Sequence, residues 1–257
     1  MKKYIANFRK YQYLLSELVK KDIKLKYRRS KLGILWTLLE PILTTIVLSI
    51  VFGTLKGKNE AFPVYILTGR LLYAFYSGST KVAAKSIRTN GSMMRKVYIP
   101  KYMYPLASIL SNFVIFLISL VVLLGAMVIF KIAPTWHTIT AVVPLLILFV
   151  LALGTGLILA TAAVFFRDLE YLWGVVLTLI MYCSCIFYEP KSLHLEGSMI
   201  LKVNPMYCII QNFRNAVFYG TGFDYQTLIY SAIVAIVLLV VGVYVFYKKQ
   251  DEFILNI

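Results

Sequence analysis

The stretch LGILWTLLEPILTTIVLSIVFGTL, residues 32–55, holds one charged side chain, Glu40, in 24 positions. An α-helix needs roughly 20 apolar residues to cross the hydrocarbon core of a bilayer. Unpaired backbone groups are too costly in lipid for an open strand or loop, so this stretch predicts a membrane-spanning helix. Just before it, residues 2–31 carry eleven Lys or Arg. Tyr4, Phe8, Tyr11, Leu15 and Leu18 recur there at steps of four and three, which stacks them on one helix face. A basic helix with one apolar stripe lies in the headgroup plane. The basic segment is too long for a secretory leader, and no small-x-small site closes the apolar run, so cleavage is not expected.

Outward from that segment the pattern repeats. Residues 64–86, 105–130, 139–166, 171–188 and 228–247 predict five more spans; 64–86 is the weakest, because it contains Arg70, Lys81 and Lys85. The whole chain is 60% hydrophobic and 15% charged. Soluble chains are roughly 45–50% apolar and 25% charged, and a disordered chain is poorer still in apolar residues, so both classes are excluded. The expected fold is all-α: one transmembrane domain over 1–257, with an amphipathic interface helix (1–31), six spanning helices (32–247) and a tail (248–257). The net charge of +16 would ordinarily suggest nucleic acid. With the N-terminus in the cytoplasm, however, twenty of the 27 basic residues fall on the cytoplasmic side and six outside, with Arg70 inside a span. The positive-inside rule then accounts for the charge, with both termini cytoplasmic and no nucleic-acid partner.

Two connections are longer than turns. Residues 87–104 form a cytoplasmic one. Residues 189–226 form an outer one around Asn204-Pro205, with helical spacing in 198–203 and in Met206, Ile209, Ile210, Phe213 and Val217. The outer connection reads as short helices that dip into the membrane and return.

Little in the sequence points to catalysis. Cys183, Cys185 and Cys208 support no disulfide framework, and His137 and His194 stand too far from them in sequence to suggest a metal site. No phosphate-binding Walker sequence occurs; residues 53–59 come nearest and have the wrong spacing. Glu40 is an isolated acid, a poor half of an acid–base pair. Arg167 and Asp168, with Glu170, read as a structural ion pair at a cytoplasmic helix end. Ionisable groups inside spans are functional candidates by default, and Arg70 is long enough to reach Glu40. Trp36, Tyr73, Tyr76, Trp173 and Tyr182 have two readings. They are interface belts and core packing, or a wall on which sugar rings stack while tyrosine hydroxyls pair with sugar hydroxyls.

Five strings taken in order resemble a known family: Tyr27-Arg28-Arg29-Ser30-Lys31-Leu32-Gly33-Ile34-Leu35-Trp36 with Pro41; Asn90…Arg95-Lys96…Ile99-Pro100…Pro105; Phe165-Phe166-Arg167-Asp168; Asn204-Pro205-Met206; and the Lys-rich exit after the last span. The chain resembles the permease subunits of type-2 ABC exporters of the polysaccharide branch, which move O-antigen, capsule or teichoic acid. Such permeases often carry Pro-Trp in the second span; here the matching residues 69–76 lack it and add Arg70. The resemblance implies a homodimer in the cell (inner or plasma) membrane, with two copies of a separate ATPase that binds ATP and magnesium. It implies that the 87–101 loop, with Arg88, Asn90, Arg95, Lys96 and Pro100, couples to that ATPase, aided by the N-terminal helix. It implies a channel lined by the first and fifth spans, with Trp36, Glu40, Arg70, Tyr73, Tyr76, Trp173 and Tyr182 as candidates, and an outer gate in 189–226. Arg28 and Arg29 would attract the anionic diphosphate of a lipid-linked glycan. The competing reading is a permease of the same type for a small drug, lipid or peptide, whose lumen needs fewer tyrosines. A membrane-embedded transferase would need clustered acids or histidines that the sequence lacks.

Overall fold

A computed structural model describes residues 2–53, 60–96, 99–190 and 199–256. Among these, every regular element is helical: α1 (Lys2–Tyr27), α2 (Trp36–Val51), α3 (Phe62–Thr89), α4 (Gly91–Lys96), α5 (Met103–Ile129), α6 (Trp136–Thr140), α7 (Val142–Phe165), α8 (Leu169–Cys183), α9 (Met199–Val203), α10 (Pro205–Val217), α11 (Tyr225–Lys249) and α12 (Phe253–Asn256). Four helical stretches are long and apolar enough to cross a membrane: Gly33–Val51, Met103–Ile129, Trp136–Phe165 and Tyr225–Glu252. They correspond to the first, third, fourth and sixth expected spans.

The other two expected spans depart from that pattern for different reasons. Helix α3 has 28 residues, but Arg70 with the tyrosines and small polar residues of its first half, and Lys81, Lys85 and Arg88 in its second, leave it less apolar than the four helices that composition alone marks. Helix α8 has only 15 residues, about 22 Å of rise against a core of about 30 Å. The expected helix over 171–188 breaks after Cys183, where Cys185 takes a left-handed conformation (φ 48°).

The charged helix is the central one. Helix α3 packs on α2, α5, α7, α8 and α10. Its first half, Phe62 to Leu72, is buried nearly all round. Helices α7 and α11 meet at glycines, as helices in membranes do when van der Waals contact must replace the hydrophobic effect. A Cβ on Gly154 would lie 2.5 Å from the Leu239 backbone nitrogen, and one on Gly242 would lie 2.6 Å from the Gly154 carbonyl oxygen. In α2, Pro41 deprives the Thr37 carbonyl of its usual donor, and Ser119 of α5 supplies one at 3.0 Å. Helix α2 therefore runs through its proline without leaving that carbonyl unpaired.

A second apolar cluster closes the end of the bundle that carries both α1 and the C-terminal segment. Leu15 and Leu18 of α1 are buried there with Ile87, Met94, Ile99, Met103, Tyr104, Phe246 and Phe253. This part of the α1 stripe therefore faces protein, chiefly α5, rather than lipid. The side chains of Tyr4 and Phe8 lie outside the described part of the structure. The C-terminal segment, expected as a plain tail, folds back so that Phe253 is fully buried.

Candidate functional site

Between α1, α2, α3 and α5 lies a cavity of about 320 Å³ lined by Lys26, Tyr27, Thr37, Glu40, Arg70, Tyr73, Ser77, Asn112 and Ser119, among others. Polar side chains face one another here because each helix offers its small or polar residues to the gap. The Arg70 Nε donates to the Thr44 hydroxyl at 2.8 Å, and that hydroxyl donates to the Glu40 carbonyl at 2.6 Å. Arg70 is thus oriented by the backbone turn that carries Glu40. Glu40 is within the range that the length of Arg70 allowed, but the two make no direct ion pair among the described residues; they share the cavity instead. The Tyr73 hydroxyl donates to the Leu177 carbonyl of α8 at 2.9 Å.

A second cavity, of about 470 Å³, adjoins the first and shares Lys26, Asn112 and Ile115 with it. Asp22, Lys81, Lys85, Ser86, Thr89, Asn90 and Ser108 also line it. Burial pushes the Asp22 carboxyl up from its ordinary value, against the opposing pull of Lys21 and of the 3.2 Å hydrogen bond from Ser108. Burial likewise holds the Lys26 amine below the usual lysine range, partly offset by Glu40.

The seven aromatic and charged channel candidates do not form one wall. Glu40, Arg70 and Tyr73 line the first cavity. Tyr76 is buried and meets Trp173 edge-on at 6.4 Å between centroids, while the Trp173 indole donates to Thr80 at 3.0 Å. That pair fastens α8 to α3, which is the packing reading rather than a sugar wall. Trp36 is 42% exposed at the start of α2, and Tyr182 is 55% exposed on α8.

The coupling candidates divide in the same way. Arg88 pairs with Glu170 of α8, and Lys85 lies 3.4 Å from the same carboxylate. Asn90 accepts from Lys21 at 3.0 Å and donates to the Ser86 carbonyl at 2.8 Å, tying α1 to the end of α3. Arg95 and Lys96 are exposed on α4, and the Pro100 carbonyl accepts from the Met103 amide where α5 begins. Arg28 and Arg29 are exposed just past the end of α1. Arg167 and Asp168 are both exposed and make no ion pair with each other among the described residues, which corrects the expected pairing. Glu170, in the first turn of α8, is the acid that α3 reaches.

One residue that the charge count put on the outer side, Arg214 of α10, is the largest fully buried side chain among the described residues. Its guanidinium carbon sits 3.5 Å from the Tyr65 ring centroid. It donates to the carbonyls of Tyr65 (3.1 Å), Cys185 (3.0 Å) and Ile186 (3.2 Å) and to the Thr68 hydroxyl (3.3 Å). Gly69 makes the room, since a Cβ there would lie 2.6 Å from Nη2. The signal was present in the sequence: Arg214 follows Ile210 by four and precedes Val217 by three, which puts it on the apolar face of α10.

Comparison with known proteins places this geometry. The family model described as ABC-2 type transporter matches residues 13–218. An O-antigen export system permease protein RfbA of Myxococcus xanthus is 31% identical over 95% of both chains. The polysialic acid transport protein KpsM of Escherichia coli is 24% identical over 98% of both. The capsule polysaccharide export inner-membrane protein CtrC of Neisseria meningitidis is 24% identical over 89% of this chain and 88% of its own. The chain belongs to the ABC-2 type transporter family as a membrane permease, a transport component without a catalytic domain.

Proposed function

We propose that this permease is the membrane-spanning subunit of an ATP-driven exporter that carries a lipid-linked polysaccharide of the O-antigen, capsule or teichoic-acid class from the cytoplasm to the cell exterior. The observation that carries the reading is the near end-to-end match to relatives named for three different surface polysaccharides. A hydroxyl-rich polymer cannot cross hydrocarbon, where each unpaired polar group costs about several kcal/mol. It needs a continuous polar or aromatic path that one chain of this size is too small to enclose. Two copies about a twofold axis provide it.

In this reading six segments cross the membrane, with both termini in the cytoplasm: the four long apolar helices, α3, and α8 with the turn that follows it. Helices α9 and α10 form the outer gate. The exposed row of α2 (Trp36, Leu43, Ile46, Val47, Ile50) and that of α8 (Tyr171, Val175, Leu179, Tyr182) face the second copy across the channel. Two copies of a partner ATPase bind ATP and magnesium and press on α4 through Arg95 and Lys96. Arg28 and Arg29 draw the anionic headgroup to the cytoplasmic surface, a basic group there contributing about 1 kcal/mol.

Deleting the gene and separating surface polymer from the cytoplasmic lipid-linked pool tests this. The expected result is loss outside with accumulation inside. Unchanged surface polymer with no internal accumulation, in a strain without a second exporter, would favour a small-substrate permease instead.

A further inference from the structure

Polysialic acid is a polyanion and other surface glycans are uncharged, so the names of the relatives leave the charge of this chain's cargo open. The exposed faces bear on it. From Trp36 to Val51 on α2 and from Tyr171 to Cys183 on α8, the one charged side chain is Glu40. It is exposed one turn after Trp36, and among the described residues no cation lies within 4.0 Å of its carboxylate. A carboxylate is costly against lipid, which is a reason for this row to face water. The arginines of α3 and α10 are withdrawn from these faces. Arg214 is fully buried, with its donors on the carbonyls of Tyr65, Cys185 and Ile186. Arg70 is half-buried and held by Thr44. Lys26, the other cation on the Glu40 cavity, belongs to α1, before the span begins. The proposed outer gate continues the pattern. Tyr207, Gln211, Asn215 and Tyr219 recur at steps of four where α10 is not fully buried, and they offer hydroxyls and amides without charge.

We propose that the glycan carried by this permease is uncharged, and that Glu40, one from each copy, is the residue that turns polyanions away. This rests on the export reading and on the channel face assigned there, and it sets aside the acidic capsule and teichoic-acid members of that class. Along α8, about 22 Å of path, an acidic polymer would place several negative charges with no protein cation opposite them. In a narrow path with low-dielectric walls, charge of one sign focuses the field. The two Glu40 carboxylates at its cytoplasmic mouth add to the repulsion. The basic residues of α1 stand outside that mouth, where salt and water screen them. An uncharged polymer meets tyrosine faces, hydroxyls and amides instead, which stack on sugar rings and pair with sugar hydroxyls.

The test uses the permease–ATPase complex in proteoliposomes with the ATPase outward. The probe is one oligosaccharide on undecaprenyl diphosphate in two forms: the neutral oligomer, and the same oligomer with its primary alcohols oxidised to carboxylates. ATP-driven uptake is read as sugar protected from periodate added outside. The wild type is expected to carry the neutral form at least about tenfold faster, within the range by which a field of one sign changes rates. Glu40→Gln should raise the oxidised-to-neutral ratio and Glu40→Lys should raise it further, a ratio that does not depend on how much folded protein each variant yields. In the wild type the ratio should also rise with salt, because screening acts on charge alone. Equal rates in the wild type, or a faster oxidised form, overturn the uncharged glycan. A wild-type preference that Glu40→Lys leaves unchanged, or that salt does not diminish, overturns Glu40 as its source. Transport of neither form while the ATPase turns over overturns the export reading itself.

Discussion

Arg214 is the residue on which α10, α3 and the turn after α8 converge. Its donors reach the backbone of α3 at Tyr65 and of the turn after α8 at Cys185 and Ile186, so one side chain joins three segments. A guanidinium suits this because its planar fork satisfies several carbonyls at once and its face stacks on an aromatic ring, which an ammonium does less well. Replacing Arg214 by Met keeps much of the volume but leaves buried carbonyls without donors. The expected cost is about 2–4 kcal/mol, read as a lower unfolding temperature of the detergent-purified protein. Gly69→Ala should shift it in the same direction, because its Cβ meets Nη2 at 2.6 Å. The double variant should lose less than the two single losses added together, since both remove the same contact. Full additivity would mean that the two residues act separately.

At the scale of elements, the end of the bundle that carries both α1 and the C-terminal segment is held by a helix of four residues. Helix α12 places Phe253 against Phe246 (5.2 Å between centroids) and beneath α4. Lys101, just before α5, lies 6.0 Å from the Phe253 ring and donates to the Gln250 carbonyl at 2.6 Å. The C-terminal segment thus braces α4, the helix proposed to meet the ATPase. Phe253→Ala should open a cavity costing about 3 kcal/mol locally and lower ATPase stimulation by the permease, while α10 and the outer gate stay intact. Stimulation at the wild-type level would separate α12 from coupling. The sequence showed the helices of this end well where their pattern was long, as in α5, α7 and α11. It did not show α12, because the eight residues after the Lys pair carry no periodicity, and the burial of Phe253 depends on partners from α7 and α11. Helix α8 was over-extended for a similar reason: residues 184–188 are apolar enough to continue a span, and the turn there is held by tertiary donors, Arg214 to the Cys185 and Ile186 carbonyls, Tyr65 to those of Cys185 and Tyr188, and Asn204 to that of Cys183.

At the scale of the whole molecule, the candidate site was legible in part. Intramembrane charge drew attention to Glu40 and Arg70, and both line the cavity; aromatic content drew attention to Tyr76 and Trp173, which serve to pack α3 against α8. Hydropathy reports that a ring is apolar, whereas its role depends on which neighbour fills the space beside it. The same distinction governs the surfaces left for a second copy. Helix α11 exposes Ile229, Ile233, Ile236, Val237 and Val240, an aliphatic row with tyrosines only towards its two ends (Tyr225, Tyr230, Tyr244, Tyr247), which suits lipid. Helix α8 exposes Tyr171, Thr178 and Tyr182 among its aliphatic residues, and α2 exposes Trp36 and Glu40 beside Ile46 and Val47. Rows that mix polar handles with apolar residues suit a water-containing channel at a twofold axis better than they suit lipid. With Cys183→Ser to remove the half-buried native thiol, Val47→Cys should therefore cross-link to its counterpart under mild oxidation in membranes, and Val240→Cys should not. The result expected is a band at twice the monomer mass for Val47→Cys alone. Cross-linking at Val240 in preference to Val47 would move the dimer axis to α11 and detach the α2–α8 face from the translocation path.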